Sequence, residues 1–449
     1  MTTHSVMTEE SNALFADHIE HLYALTTSHL AAEKLDRLFI ASGSLKYYFL
    51  DDHGYPFKSN PHFTQWVPFL DGVSDCWLVI STDTKPQLFI YSPDDFWHMT
   101  PSAPNEAWCQ NFDIVLYSRI DQLPELITES RATALIAEEK ASFLTENVQH
   151  NPKALLNRLH YDRAIKTPWE QHCLREANRI AVKGHVSAVR DFEQGLSEFV
   201  IHQNYLAAIE QQEKQLPYNN IIALNEHTAV LHYQYKEQQR IDKCRSLLVD
   251  AGATYMGYAA DITRTVAVGN ELFQRLLSGV DQYQQEILRQ IKPGVSFVDL
   301  HRFMHQQLFK LLTSTGIVKA DIAEGSDDAI KISQTFCPHG LGHFLGLQVH
   351  DVGGWQHDRA GLNVPPPAPF NFLRLTRTLE VGQVLTIEPG LYFIPSLLDK
   401  LKESSLSEAI DWVLVDSLIP WGGIRIEDNI CVTAQGHENY TRDAFSLLN

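Results

Sequence analysis

The chain has 449 residues, 44% of them hydrophobic and 20% charged, with a formal net charge of −19. That length exceeds a usual single core and favours two domains, and the composition is ordinary for a globular protein. The negative balance argues against nucleic acid or an anionic membrane as a partner.

The opening stretch from Met1 to Glu10 lacks the basic start and apolar centre of a signal peptide. No apolar run approaches the ~20 residues that span a bilayer. Six scattered cysteines (Cys76, Cys109, Cys173, Cys244, Cys337, Cys431) form no CxxC pair and fit reduced thiols. A cytoplasmic protein is the expectation. An amphipathic helix is predicted from about Glu10 to Leu35, with Leu14, Phe15, Ile19, Leu22, Leu25 and Leu30 on one stripe. Strands are predicted at Leu38–Ala41, Tyr47–Leu50, Cys76–Ile80 and Leu88–Tyr91, with a loop from Asp51 to Trp66. This part reads as a smaller mixed α/β N-terminal domain, residues 1–160, with no convergent catalytic set.

A second domain, residues 161–449, opens on Thr167-Pro168-Trp169-Glu170, a capping box with proline at the first helical position. Helices are predicted over 271–291 and 297–313, the second capped by Ser296 and Asp299. Strands fill much of the rest, which makes the domain α+β. Pro365-Pro366-Pro367-Ala368-Pro369 reads as a stiff surface loop, and 395–420 holds an amphipathic helical stretch without an evident role.

The chemistry concentrates in this second part. His339-Gly340-Leu341-Gly342-His343 and His350-Asp351 put imidazoles among glycines, and neutral imidazole is a common metal ligand. Four acids sit in segments that read as buried strands: Asp250 after Ser246–Val249, Asp261 before Ile262–Val268, Glu388 after Val384–Ile387, and Glu427 after Gly422–Ile426. An ionised carboxylate there is costly unless paired or bound to a metal. One such acid is more simply salt-bridged; four, with a histidine, are better explained by a shared cation site.

The order of these motifs (Asp250, Asp261, HGLGH, LTIEPG, RIED) resembles that of the pita-bread metallopeptidases. The resemblance extends to the bacterial Xaa-Pro dipeptidases (prolidases), including members called organophosphorus acid anhydrolase. It rests on VDAGATYMGYAADITRT, HGLGHFLGLQVHDVGG, LTIEPGLYFIP and WGGIRIEDNI, with further likeness in the first half. It implies two similar αββ halves around the site, and two cations. Asp250, Asp261 and Glu427 would hold one cation; Asp261, His343, Glu388 and Glu427 would hold the other. Four carboxylates and one imidazole are too many for a single tetrahedral zinc. By ligand type Mn²⁺ leads, with Co²⁺, Fe²⁺ or Zn²⁺ possible.

The implied reaction is hydrolysis of a dipeptide with C-terminal proline by a hydroxide bridging the metals. A side activity on phosphotriesters and fluorophosphates is also implied. Glu388 would shuttle the proton, and His339 and His350 would act on the reacting group. His232, Arg425, Tyr218 and Val349 would bind substrate, and Phe344 is a place where specificity should vary. The family also implies a homodimer, with the N-terminal domain supplying the dimerisation surface and active-site rim, Asp51 or Asp52 included. The alternatives are an aminopeptidase P type of Xaa-Pro aminopeptidase, which shares the metal ligands, and a non-catalytic pita-bread binding protein.

Overall fold

The computed structural model describes residues 7–70, 72–127, 132–319 and 321–448. Met1 to Val6, part of the stretch read for a signal peptide, lie outside them. The chain divides into two compact units. One runs to Arg163 and includes Thr167–Glu170 and Asp358–Leu362; the other comprises Ala164–Lys166, Gln171–His357 and Asn363–Asn449.

In the first unit the leading helix spans Glu9–Ala32, with the Thr8 side chain accepting from the Ser11 N–H. Its stripe buries Phe15, Ile19, Leu22 and Leu30. Phe15 meets Phe69 and Trp169 edge-on at ring distances of 5.0 and 5.2 Å. The strands are β1 (Arg37–Ala41), β2 (Trp77–Ser81), β3 (Gln87–Tyr91), β4 (Asp113–Tyr117), β5 (Thr133–Ile136) and β6 (Gln149–His150). They form one mixed sheet in the order β4-β3-β2-β1-β5-β6.

Two expectations fail here. Tyr47–Leu50 is not a strand: Tyr47 alone bridges to Gly54, and Phe49 and Leu50 are each 91% exposed. Its aromatic and apolar letters resemble a strand, but the chain turns back at Leu50, which has φ +55°. Within the predicted loop, Pro61–Trp66 is a helix, because Asn60 caps it through the His62 N–H and proline opens it.

The second unit contains two halves of the same plan. In one, the helices Pro168–Glu193 and Glu198–Ile209 cover an antiparallel sheet of β7 (Ile221–Leu224), β8 (Ser246–Asp250) and β11 (Thr263–Ala267). A short hairpin, β9 (Thr254–Tyr255) with β10 (Tyr258–Ala259), lies between the last two in sequence. The first helix is closed by the reciprocal Thr167–Glu170 box read from the sequence.

In the other half, the helices Glu271–Leu288, Phe297–Ser314 and Asp327–Phe336 share a core with β12 (Val384–Ile387) and β15 (Asp428–Val432). β16 (His437–Asn439) completes that sheet, and β13 (Gly390–Tyr392) pairs with β14 (Gly423–Arg425). Each half brings its helices close at a glycine: a Cβ on Gly184 would lie 2.5 Å from the Tyr205 ring, and one on Gly279 would lie 2.4 Å from Leu311. The stretch 395–420 folds as helices Pro395–Lys402 and Trp412–Leu418. This is the α+β arrangement the family resemblance implies.

One local pairing joins the halves at the site: Thr263, at the start of β11, bridges to Glu427. Within the second half, Phe344 bridges to Leu385 of β12. Thr386 donates its N–H to the His343 carbonyl at 2.9 Å, and Glu388 donates to Leu341 at 2.8 Å. The glycine-rich run therefore lies along β12 as an irregular extra strand. Gly342 has no room for a side chain, since a Cβ would lie 2.0 Å from the Thr386 carbonyl oxygen. Backbone cannot yield as a flexible side chain can. Gly342→Ala is expected to cost about 2 kcal/mol or more in stability and to weaken cation binding beside it, read by thermal melting and metal titration; unchanged values for both would contradict this account.

Candidate metal centre

Five side chains from separate stretches meet where the two halves join. Asp250 ends β8, Asp261 precedes β11, His343 lies on the glycine-rich run, Glu388 follows β12, and Glu427 sits between β14 and β15. Among the described residues, Asp261, His343 and Glu427 have donor atoms all within 4.8 Å of one another. His343 Nε2 is 3.4 Å from Asp261 Oδ2 and 3.6 Å from Glu388 Oε1. Its Nδ1 lies 2.9 Å from the Phe344 carbonyl oxygen. A carbonyl only accepts, so Nδ1 carries a proton and the carboxylates face Nε2. Asp250 accepts from the Tyr218 hydroxyl at 2.8 Å and from the Arg425 guanidinium. Glu427 accepts from the Thr263 hydroxyl at 2.6 Å.

Electrostatics identify what this crowding lacks. Burial first, and then Asp261, Glu388 and Asp250, raise the Glu427 pKa well above its ordinary value. Burial pushes Glu388 up to about 7, with Asp261 and Asp250 adding to it and His343 and Arg425 opposing. Burial also raises Asp250, although the Arg425 charge pulls it back. At Asp261 burial raises the pKa too, but the His343 hydrogen bond and charge outweigh it and the net shift is downward. Buried carboxylates that keep protons against one another are the arrangement a divalent cation relieves. The donor set, oxygen-rich with one imidazole, fits such a cation.

The other predicted residues surround these five to different degrees. His339 is half-buried, with Nε2 2.9 Å from the Tyr392 hydroxyl and Nδ1 3.8 Å from Glu388 Oε2. His350 is exposed and sets its ring edge-on to His343, with centroids 4.3 Å apart. His232 is also exposed. Tyr218 and Val349 are half-buried.

Arg425 is buried and already committed. It reaches Asp250, the Tyr392 hydroxyl at 3.0 Å and the Thr263 hydroxyl at 3.1 Å. Phe344, where specificity is expected to vary, packs in the core with 1% of its surface exposed.

Sequence reasoning missed Tyr392, Thr263 and Asn429. Tyr392 joins His339 to Arg425, and the Asn429 side chain accepts from the Asp261 N–H at 2.9 Å. A period-two reading of β11 could have found the threonine, since Asp261, Thr263 and Thr265 share one strand face.

Residues 172–434 match metallopeptidase family M24, and residues 13–161 match the Xaa-Pro dipeptidase N-terminal domain. The chain belongs to metallopeptidase family M24. It is 47% identical over 438 residues to the Xaa-Pro dipeptidase of Shewanella woodyi, covering 96% of this chain and 98% of the relative. The Xaa-Pro dipeptidase of Pseudoalteromonas atlantica is 46% identical over 439 residues, with the same coverage. Among solved structures, the low-pH form of E. coli aminopeptidase P superposes with a TM-score of 0.72 at 23% identity, covering 96% of this chain and 95% of that one. Its zinc-substituted product complex gives 0.71 at 22% identity, with the same coverage. Both likenesses concern the fold.

The raised carboxylates predict a pH effect. In chelated protein the folded state keeps a proton on Glu388 up to about 7, which the unfolded state releases near 4.5. The unfolded state then binds fewer protons, so stability should fall as pH rises through that window. His343, also raised, acts in the same direction; Asp261, depressed, acts only at lower pH. Added Mn²⁺ should raise the melting temperature more at about pH 7.5 than at about pH 5.5. A chelated protein whose melting temperature ignores pH across this window would contradict the argument.

Proposed function

We propose that this metallopeptidase is a Xaa-Pro dipeptidase that hydrolyses dipeptides with C-terminal proline at a pair of divalent cations, Mn²⁺ first among them. The observation that carries the reading is the intact set Asp250, Asp261, His343, Glu388 and Glu427 in a chain similar throughout its length to Xaa-Pro dipeptidases. Asp250, Asp261 and Glu427 would hold one cation; Asp261, His343, Glu388 and Glu427 would hold the other. Cations there supply an acidified water and a Lewis acid for the scissile carbonyl.

The protein's own groups do the rest. Glu388 accepts and returns the proton beside the reacting group. His350 and His339 face the reacting carbonyl. His232, Tyr218 and Val349 line the substrate, and Arg425 meets the proline carboxylate only through N–H groups not committed to Asp250, Tyr392 and Thr263. An X-Pro bond is a tertiary amide without an N–H, so a peptidase that grips that hydrogen fails on it; a site that reads the two ends of a dipeptide does not need it. The same activated water is suited to tetrahedral phosphorus, which makes phosphotriesters and fluorophosphates a side activity. No helix among the described residues is long and apolar enough to cross a membrane, and all six cysteines are free, which supports a cytoplasmic assignment.

We further assign a homodimer formed through the N-terminal unit, whose exposed Phe49, Leu50, Phe96, Trp97 and Met99 are unusual on a monomer's surface. In sedimentation, Phe49→Asp combined with Trp97→Asp should turn a dimer into a monomer; a monomeric parent protein would sink the assignment.

The activity test compares Ala-Pro, Leu-Pro and Gly-Pro with the tripeptide Ala-Pro-Gly, before and after chelation. Cleavage of the dipeptides alone, lost with chelator and restored by Mn²⁺, is expected. Cleavage of the tripeptide's first bond would make the protein an aminopeptidase of the aminopeptidase P type. Silence on all four with cations bound would discard both.

A further inference from the structure

Between the ligand His343 and His350 the chain makes a compact excursion. Leu345 donates its N–H to the Val384 carbonyl at 3.0 Å, and Ala259 donates to Gly346 at 2.9 Å. Asp351 then returns its own N–H to the Phe344 carbonyl at 2.9 Å, which closes the excursion. This closure brings the His350 ring edge-on to His343.

Beneath it lies a buried ion pair: Lys166 Nζ is 2.9 Å from Asp351 Oδ2, and each side chain is 1% exposed. The second carboxylate oxygen, Oδ1, accepts from the Val352 N–H at 3.0 Å. The pair packs against the excursion's backbone, since a Cβ on Gly346 would lie 2.2 Å from Asp351 Oδ2 and 3.0 Å from Lys166 Cε. Lys166 is itself fixed by backbone, donating its N–H to Gly382 at 2.8 Å and accepting from the Gln171 side chain at 2.9 Å.

Energetics alone do not call for ions here. Desolvating two charges offsets most of their attraction, and apolar pairs of similar volume often serve stability as well or better. What an ion pair adds is direction: Asp351 must point at Lys166, and the residue before it in the chain is then held in one orientation.

We propose that Lys166 and Asp351 are positioning residues that act through His350, fixing its imidazole against the cation ligand His343. The inference rests on the reading of His350 as a group that meets the substrate. It is tested by a double-mutant cycle in Mn²⁺-loaded protein, with Ala-Pro hydrolysis, metal content and amide exchange of residues 344–352 as readouts. Asp351→Asn should lower kcat/KM by roughly 10- to 100-fold with metal content unchanged, and exchange in 344–352 should rise. In a His350→Ala background the same change should cost less than about 2-fold, because the group it positions is gone.

If the two losses multiply, if Asp351→Asn loses metal, or if exchange is unchanged, the inference is overturned while the function stands. If His350→Ala is as active as the parent, or the parent is silent on Ala-Pro, the reading beneath it falls as well. The pair Lys166→Met with Asp351→Leu guards against simple unfolding. It should melt near the parent temperature yet remain as impaired as Asp351→Asn, and full activity in it would overturn the inference.

Discussion

Four carboxylates held within one buried junction repel one another, and the rest of the catalytic unit is arranged around that constraint. Asp250, Asp261, Glu388 and Glu427 are delivered by stretches far apart in the chain, so no local feature can neutralise them. Arg425 supplies one positive charge, directed at Asp250. The balance at Glu427 and Glu388 is left to protons or to cations, since burial and neighbouring carboxylates raise both groups. Such a cluster is paid for by the surrounding packing, here a separate hydrophobic core in each half of the unit.

Packing alone would not hold the carboxylates in register; a layer of polar side chains does. Thr263 donates to Glu427 and accepts from the Arg425 Nε–H, while Thr265 exchanges hydrogen bonds with the Arg425 backbone. One strand face of the first half thereby fixes the strand that carries Glu427 in the second. Behind Glu427, fully buried Asp428 takes hydrogen bonds from Arg264, Arg442 and Asn439 at 2.6, 2.6 and 2.9 Å. Burial would raise the Asp428 pKa, but the charges of Arg264 and Arg442 hold it below its usual range. Arg264 also donates to the Glu427 carbonyl at 2.7 Å, so the Glu427 backbone is held as well as its carboxylate.

The convergence of Asp250, Asp261, Glu388 and Glu427 was legible because acids in buried β-branched runs violate the ordinary pattern, and a violation stands out in a single sequence. The long helices and the Thr167–Glu170 box were legible for the opposite reason, since they obey local rules of capping and periodicity. What was hidden depended on partners distant in sequence. Tyr392 reads as one more aromatic residue in an apolar strand until His339 and Arg425 are seen on either side of its hydroxyl. Nothing in the letters around Asp428 shows that it is the buried anchor for two arginines. Tyr47–Leu50 misled because its β-like letters pair only briefly, Tyr47 with Gly54, before the chain turns back at Leu50. The likeness of the two halves was invisible because they share a plan of helices crossing at a glycine over a sheet, while the residues around Gly184 and Gly279 differ.

The polar chain through Tyr392 has a direction that follows from donor chemistry. His339 Nδ1 lies 2.8 Å from the Gly340 carbonyl and must donate to it, so Nε2 can only accept in a neutral ring. The Tyr392 hydroxyl therefore donates to His339, which leaves its oxygen to accept from Arg425. Arg425 in turn donates to Asp250. Burial first, and then the Arg425 charge, lower the His339 pKa to about 3, which agrees with a neutral ring. His339 thus faces the site as a dipole, not a charge, while Arg425 is turned toward Asp250. Removing the Tyr392 hydroxyl would leave both the Arg425 N–H and the His339 lone pair buried without this partner, at a cost of about 1–3 kcal/mol for each group that finds no replacement. One phenol therefore couples His339, through Arg425, to Asp250 in the carboxylate cluster.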